Sequence, residues 1–157
     1  MRALRNLAII AMASLFVSGA LAEEPEPHWY AGLGEAGGYA RWGIPESDAV
    51  GFEVACHDDG VMLRPALYAM EEPAQTPDIR FDVDGTDYVR DATLSFNELD
   101  AAWQASATVG RNDALIDAMR RGSKLSYDFD PPLREGDAFT LSLSGSAKAI
   151  DQALQNC

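Results

Sequence analysis

Few residues in this chain have the types and spacing that chemistry needs. Asp82-Val83-Asp84-Gly85-Thr86-Asp87 gathers three carboxylates around a glycine turn, and closely spaced aspartates of this kind can converge oxygens on calcium. An EF-hand loop would also need a Glu at its twelfth position, which counted from Asp82 is Thr93. A solvated hairpin accounts for the same string. His28 and His57 are the only histidines, and no zinc-ligand spacing joins them. Neither Gly-x-Ser-x-Gly nor Ser-x-x-Lys occurs. Ser146-Ala147-Lys148 has a shorter spacing, but residues two apart on a helix point away from each other. A glycosidase-type carboxylate pair is compatible with so acidic a chain, yet nothing in the sequence marks one Asp or Glu as buried. No catalytic residue, metal or cofactor is therefore assigned.

The candidates for binding are equally sparse. Trp29, Tyr30, Tyr39 and Trp42 concentrate aromatic surface in one glycine-rich stretch, where ring edges on a sheet serve either sugar and peptide contact or the core. Arg120, Arg121 and Lys124 form the only basic cluster, at the end of an expected helix whose dipole such cations offset. Cys56 and Cys157 are the only cysteines and permit one pairing.

The elements that must position these groups are mostly strands. Val50, Phe52, Val54 and Cys56 alternate with Gly51, Glu53, Ala55 and His57, and Asp58-Asp59-Gly60 turns the chain into Val61, Leu63, Pro65 and Leu67. Pro65 predicts an edge position or a bulge for that second strand. A second hairpin runs from Ile79 to Val83, through Asp84-Gly85-Thr86, to Tyr88 and Arg90. Further strands are expected at 29–33, 38–42, 101–109, 125–129 and 139–143, with an exposed loop over 71–78. Asp113 to Arg121 reads as a short helix, with Asn112 as N-cap and Gly122 just beyond its end. A second helix runs from Ala147 to the C-terminus behind Ser146 as N-cap. It carries Ile150, Ala153, Leu154 and Cys157 on one stripe. About eight short strands predict a mainly β fold, an antiparallel β-sandwich or barrel-like domain, with a short internal helix and a C-terminal helix packed on the sheet.

The N-terminus reads as a secretory signal peptide over 1–22. Arg2 and Arg5 precede the apolar run Leu7–Val17, and Ala20-Leu21-Ala22 fits signal peptidase. An acidic, Pro-rich linker (23–28) and a single domain (29–157) follow. Localisation is then periplasmic or secreted, an oxidising setting in which Cys56 and Cys157 form a disulfide. The chain has 25 Asp and Glu against 12 Lys and Arg, and loss of Arg2 and Arg5 leaves a net charge of about −15. Such a surface repels nucleic acid and anionic lipid, and no second apolar stretch has membrane length. The fitting partner is a basic envelope or extracellular protein.

The closing string Phe139-Thr-Leu141-Ser-Leu143-Ser-Gly145-Ser146-Ala-Lys-Ala149-Ile150, ending at Cys157, resembles the strand-Gly-Ser-helix-Cys ending of exported Gram-negative proteins of unassigned function. Some type VI secretion accessory proteins close in a similar way. The resemblance spans about twenty residues and implies export, a β fold and the disulfide. Phe52-Glu-Val-Ala-Cys56-His-Asp-Asp-Gly60 with Val61-x-Leu63 is similar to the Cys-bearing hairpin of small periplasmic lysozyme inhibitors, whose Ser-Gly-x-x-Tyr loop is not found here. The function expected on these grounds is non-enzymatic binding through an acidic surface. A lysozyme-inhibitor-like protein and a small periplasmic hydrolase with a carboxylate pair are the other readings.

Overall fold

Hydrophobic residues alternating with polar ones along most of the chain give each strand one buried face, and two sheets must meet to cover those faces. The computed structural model describes residues 24–58, 60–133, 138–155 and 157. The expected signal peptide lies outside the described residues. Of the expected linker, residues 24–27 are exposed without regular structure, and His28 opens the first strand.

The first three hairpin arms follow one another: β1 (His28–Gly34) pairs with β2 (Gly37–Gly43), β2 with β3 (Val50–His57), and β3 with β4 (Gly60–Pro65), all antiparallel. A two-residue strand β5 (Tyr68–Ala69) comes next. β6 (Asp78–Val83) and β7 (Thr86–Asp91) form the second hairpin. Its two-residue turn has positive φ at both Asp84 (50°) and Gly85 (88°), the geometry that matches strand twist and that an Asp-Gly pair supplies. Past Ala92, β8 (Thr93–Asn97) pairs with β9 (Ala102–Val109), and β9 also pairs with β4 and β5. The helix α1 (Ala114–Arg121), β10 (Lys124–Asp130), β11 (Phe139–Ser142) and the helix α2 (Ser146–Leu154) complete the described chain. The larger sheet has seven strands in the order β1-β2-β3-β4-β9-β5, with β8 on the other side of β9, and the smaller runs β11-β10-β6-β7. The mainly β, sandwich-like architecture with two helices is as expected. The two sheets remain separate rather than closing into a barrel.

Phe52 of β3 sits where the sheets meet, edge-on to Phe81 of β6 and Trp29 of β1 and tilted against Tyr127 of β10. Polar groups bridge the layers too: the Tyr127 hydroxyl donates to the Gly51 carbonyl at 2.7 Å, and Trp29 Nε1 to the Ser142 carbonyl at 2.8 Å. The Cys56 end of the same inner face is covered by α2. There the helix backbone comes so close that a Cβ on Gly38 would overlap the Ala153 carbonyl. Only glycine fits this contact.

Five local expectations are corrected. Asp113, not Asn112, caps α1, because its side chain accepts from the Leu115 amide. Ser146 does not cap α2. It is the first helical residue, behind a left-handed Gly145, and its buried hydroxyl donates to the Met119 carbonyl of α1 at 2.7 Å. β4 is an interior strand without a bulge in its pairing with β3; Pro65 is tolerated because pairing with β9 stops at Leu63. Two strands were not anticipated, β5 and β8. α2 ends at Leu154 rather than running on through Cys157.

Gly122 follows α1 in extended conformation, and space rather than chirality selects it. A Cβ there would come 2.6 Å from Val83 Cγ1.

Candidate functional site

Strand alternation that buries Ile79, Phe81 and Val83 of β6 turns Asp78, Arg80 and Asp82 outward. The registers on either side bring similar residues alongside. Asp130, Asp78 and Asp91 lie in one lateral row across β10, β6 and β7. Asp128, Arg80 and Val89 form the next row, and Ser126, Asp82 and Asp87 the third. Six aspartates thus share the outer face of the smaller sheet, with Arg80 at their centre 4.0 Å from Asp130. Like charges directly opposite on neighbouring strands oppose folding. Val89, half exposed, adds apolar surface in their midst.

Asp84, beside this face, has a different task. Its carboxylate accepts from the Ser123 hydroxyl (2.7 Å), the Ser123 amide (2.8 Å) and the Lys124 amide (3.0 Å). The Ser123 bonds lead in holding its pKa below the usual carboxylate range. The β6–β7 turn is thereby fastened to the start of β10, and Asp82 accepts from the Gly85 amide. Among the described residues no group of three or more His, Cys, Asp or Glu is placed to hold a metal ion.

On the outer face of the larger sheet lies a second charged arrangement. Arg41, Glu53 and Arg64 are direct cross-strand partners on β2, β3 and β4. Glu53 is 3% exposed, and each of its oxygens takes one guanidinium: Arg41 Nε donates to Oε2 at 2.5 Å and Arg64 Nη2 to Oε1 at 2.6 Å. Burial acts against the Arg41 cation, but the hydrogen bond and charge of Glu53 outweigh it and raise its pKa. The Arg41 guanidinium also lies 4.1 Å above the Tyr39 ring. The clamp lines an open cleft of about 430 Å³ together with Asp48, Asn97, Asp100 and Gln104.

The aromatic quartet is divided between faces. Trp29 is buried and paired in register with the half-buried Trp42, which packs edge-on to Phe139. Tyr30 and Tyr39 occupy the alternate positions, Tyr30 beside His28 and Tyr39 across Gly32 and under Arg41. Tyr39 is the member that reaches the clamp. In the basic cluster, Arg120 pairs with Asp117 of its own helix and with Asp151 of α2 at 2.9 Å, so it joins the helices. Cys56 and Cys157 are joined as expected. Alternation along β3 sets Glu53 on the face opposite Cys56, but nothing in the sequence brings Arg41 and Arg64 to it.

Among the described residues no helix is long and apolar enough to cross a membrane. No protein-family model, curated protein or solved structure matches this chain.

Proposed function

We propose that this chain is a non-enzymatic exported binding domain that engages a basic protein through the aspartate face of the smaller sheet. The observation that carries the reading is the row Asp130–Asp78–Asp91, in which three strands set carboxylates side by side. Such an arrangement opposes folding, and a cationic partner would relieve it. The disulfide supports an oxidising compartment. Binding is favoured over hydrolysis because Glu53, the buried carboxylate among the described residues, has both oxygens engaged by arginines rather than poised to give or take a proton.

Titration calorimetry against two basic probes, a c-type lysozyme and cytochrome c, tests this reading. Affinity is expected at low salt and should weaken toward about 0.15 M, where screening acts beyond about 8 Å. Replacing Asp78, Asp91 and Asp130 together by Asn should abolish it, while replacing Glu35 and Glu98, exposed in turns of the larger sheet, by Gln should not. Equal loss in both variants would reject the face as the site. Inhibition of the lysozyme in a cell-wall lysis assay, but no cytochrome c binding, would replace the general reading by the lysozyme-inhibitor one.

A further inference from the structure

We propose that the cleft above the Arg41–Glu53–Arg64 clamp binds a small zwitterion of the amino-acid or short-peptide class, its carboxylate on the guanidinium groups and its ammonium on Asp48 or Asp100.

The floor is preorganised. Glu53 holds Arg41 by Nε and Arg64 by Nη2, and the remaining N–H groups of both arginines have no hydrogen-bond partner among the described residues. The two side chains are 32% and 35% exposed, so these donors remain accessible. A guanidinium fixed by one partner offers its other donors to a planar anion with little further ordering to lose.

The rim selects the rest of the ligand. Asp100 accepts on Oδ2 from Asn97 at 2.7 Å and from Gln104 at 3.4 Å, and Oδ1 has no partner among the described residues. The loop carrying Asp48 is ordered by Ser47, whose hydroxyl donates to the Ile44 carbonyl and accepts from the Ala49 amide. A simple anion entering the cleft would meet these two carboxylates, and a simple cation would meet the two arginines. A ligand with both charges is matched at each end. Its side chains would find Tyr68, one-third exposed, and Leu99, almost wholly exposed. A cleft of about 430 Å³ limits that ligand to small-molecule size.

Trialanine with free termini, its N-acetylated form and its C-amidated form are the probes, titrated into the mature chain and read by amide chemical shifts and calorimetry. The free peptide should give saturable shifts in β3, β4 and residues 97–104. Each blocked form should bind at least about tenfold more weakly, as expected when one charged partner is removed. The D48N/D100N variant leaves the clamp intact and should weaken the free peptide similarly without lowering Tm, and the two single variants show which carboxylate takes the ammonium. Absence of saturable shifts, an N-acetylated form as tight as the free one, or unimpaired binding by the double variant would overturn the proposal. So would preferential binding of a neutral disaccharide.

Discussion

Cys56, on the inner face of β3, and Cys157, just beyond α2, have Cα atoms 5.4 Å apart and are joined across 101 residues of chain. The bond ties the last helix to the centre of the larger sheet. Closing a loop of that length restricts the unfolded chain by about 4–5 kcal/mol in the loop-entropy model.

Cys157→Ser is therefore expected to lower Tm by about 10 °C or more, at a few degrees per kcal/mol. α2 has nine residues, too few for stability in water without its packing, so hydrogen-exchange protection over 146–154 should fall first. The wild-type chain should show no alkylatable thiol by intact mass until it is reduced.

The clamp yields a second prediction. Glu53→Leu would leave Arg41 and Arg64 facing each other over an apolar side chain, and unfolding should become easier by about 3 kcal/mol. The figure lies at the low end for a broken buried pair because about a third of each arginine is in water. Changing Arg41, Glu53 and Arg64 together to Met should recover most of that loss. Urea denaturation measures both. A triple variant no more stable than Glu53→Leu would show that packing, not charge pairing, is what the single change disrupts.

Acid should destabilise the fold through two carboxylates. Asp84 is held below the usual range by Ser123 and Lys124. Burial pushes Asp113 upward, but the hydrogen bonds from Arg90 and the Leu115 amide, together with the Arg90 charge, outweigh it and bring its pKa down. For a carboxyl whose folded pKa is depressed, the stabilisation is fully present above the unfolded value of about 3.9 and is lost as pH falls through the folded one. Stability should hold from neutral pH down to about 5 and fall steeply below about 4. A variant with both aspartates changed to Asn keeps the N-cap oxygen on α1 and should lose less stability over the same acid range. Denaturant midpoints at neutral and acid pH compare the two, and parallel losses would exclude these carboxylates as the cause.

Several features were legible residue by residue. The Asp84-Gly85 turn could be read because left-handed backbone at two consecutive positions has few solutions, and the register of the β6–β7 hairpin follows from it. Cys56 could be placed inward by the two-residue period of β3, because that period is set by bonds within a few residues; the helical stripe led to Cys157 as well, although α2 stops at Leu154, short of it. β8 was hidden although Thr93-Leu94-Ser95-Phe96-Asn97 alternates, since half-exposed residues on both faces leave the pattern little contrast.

What lay beyond the sequence was how polar and charged side chains pair between elements. Asp113 rather than Asn112 caps α1 where Arg90, reaching from β7, pairs with the same carboxylate. Ser146 leaves its capping role because α1 presents the Met119 carbonyl in a place water does not reach. Alternation alone turns Arg41, Glu53 and Arg64 outward, yet it does not say which residue stands opposite which. Likewise Asp78 and Asp130 are far apart in the chain and become neighbours only when β10 pairs with β6. Lateral register is decided when two sheets bury their apolar faces against each other, since a slip of one residue would turn every inward side chain to water. The sequence alone therefore determined which residues belong to which face, and the tertiary structure decided which charges meet.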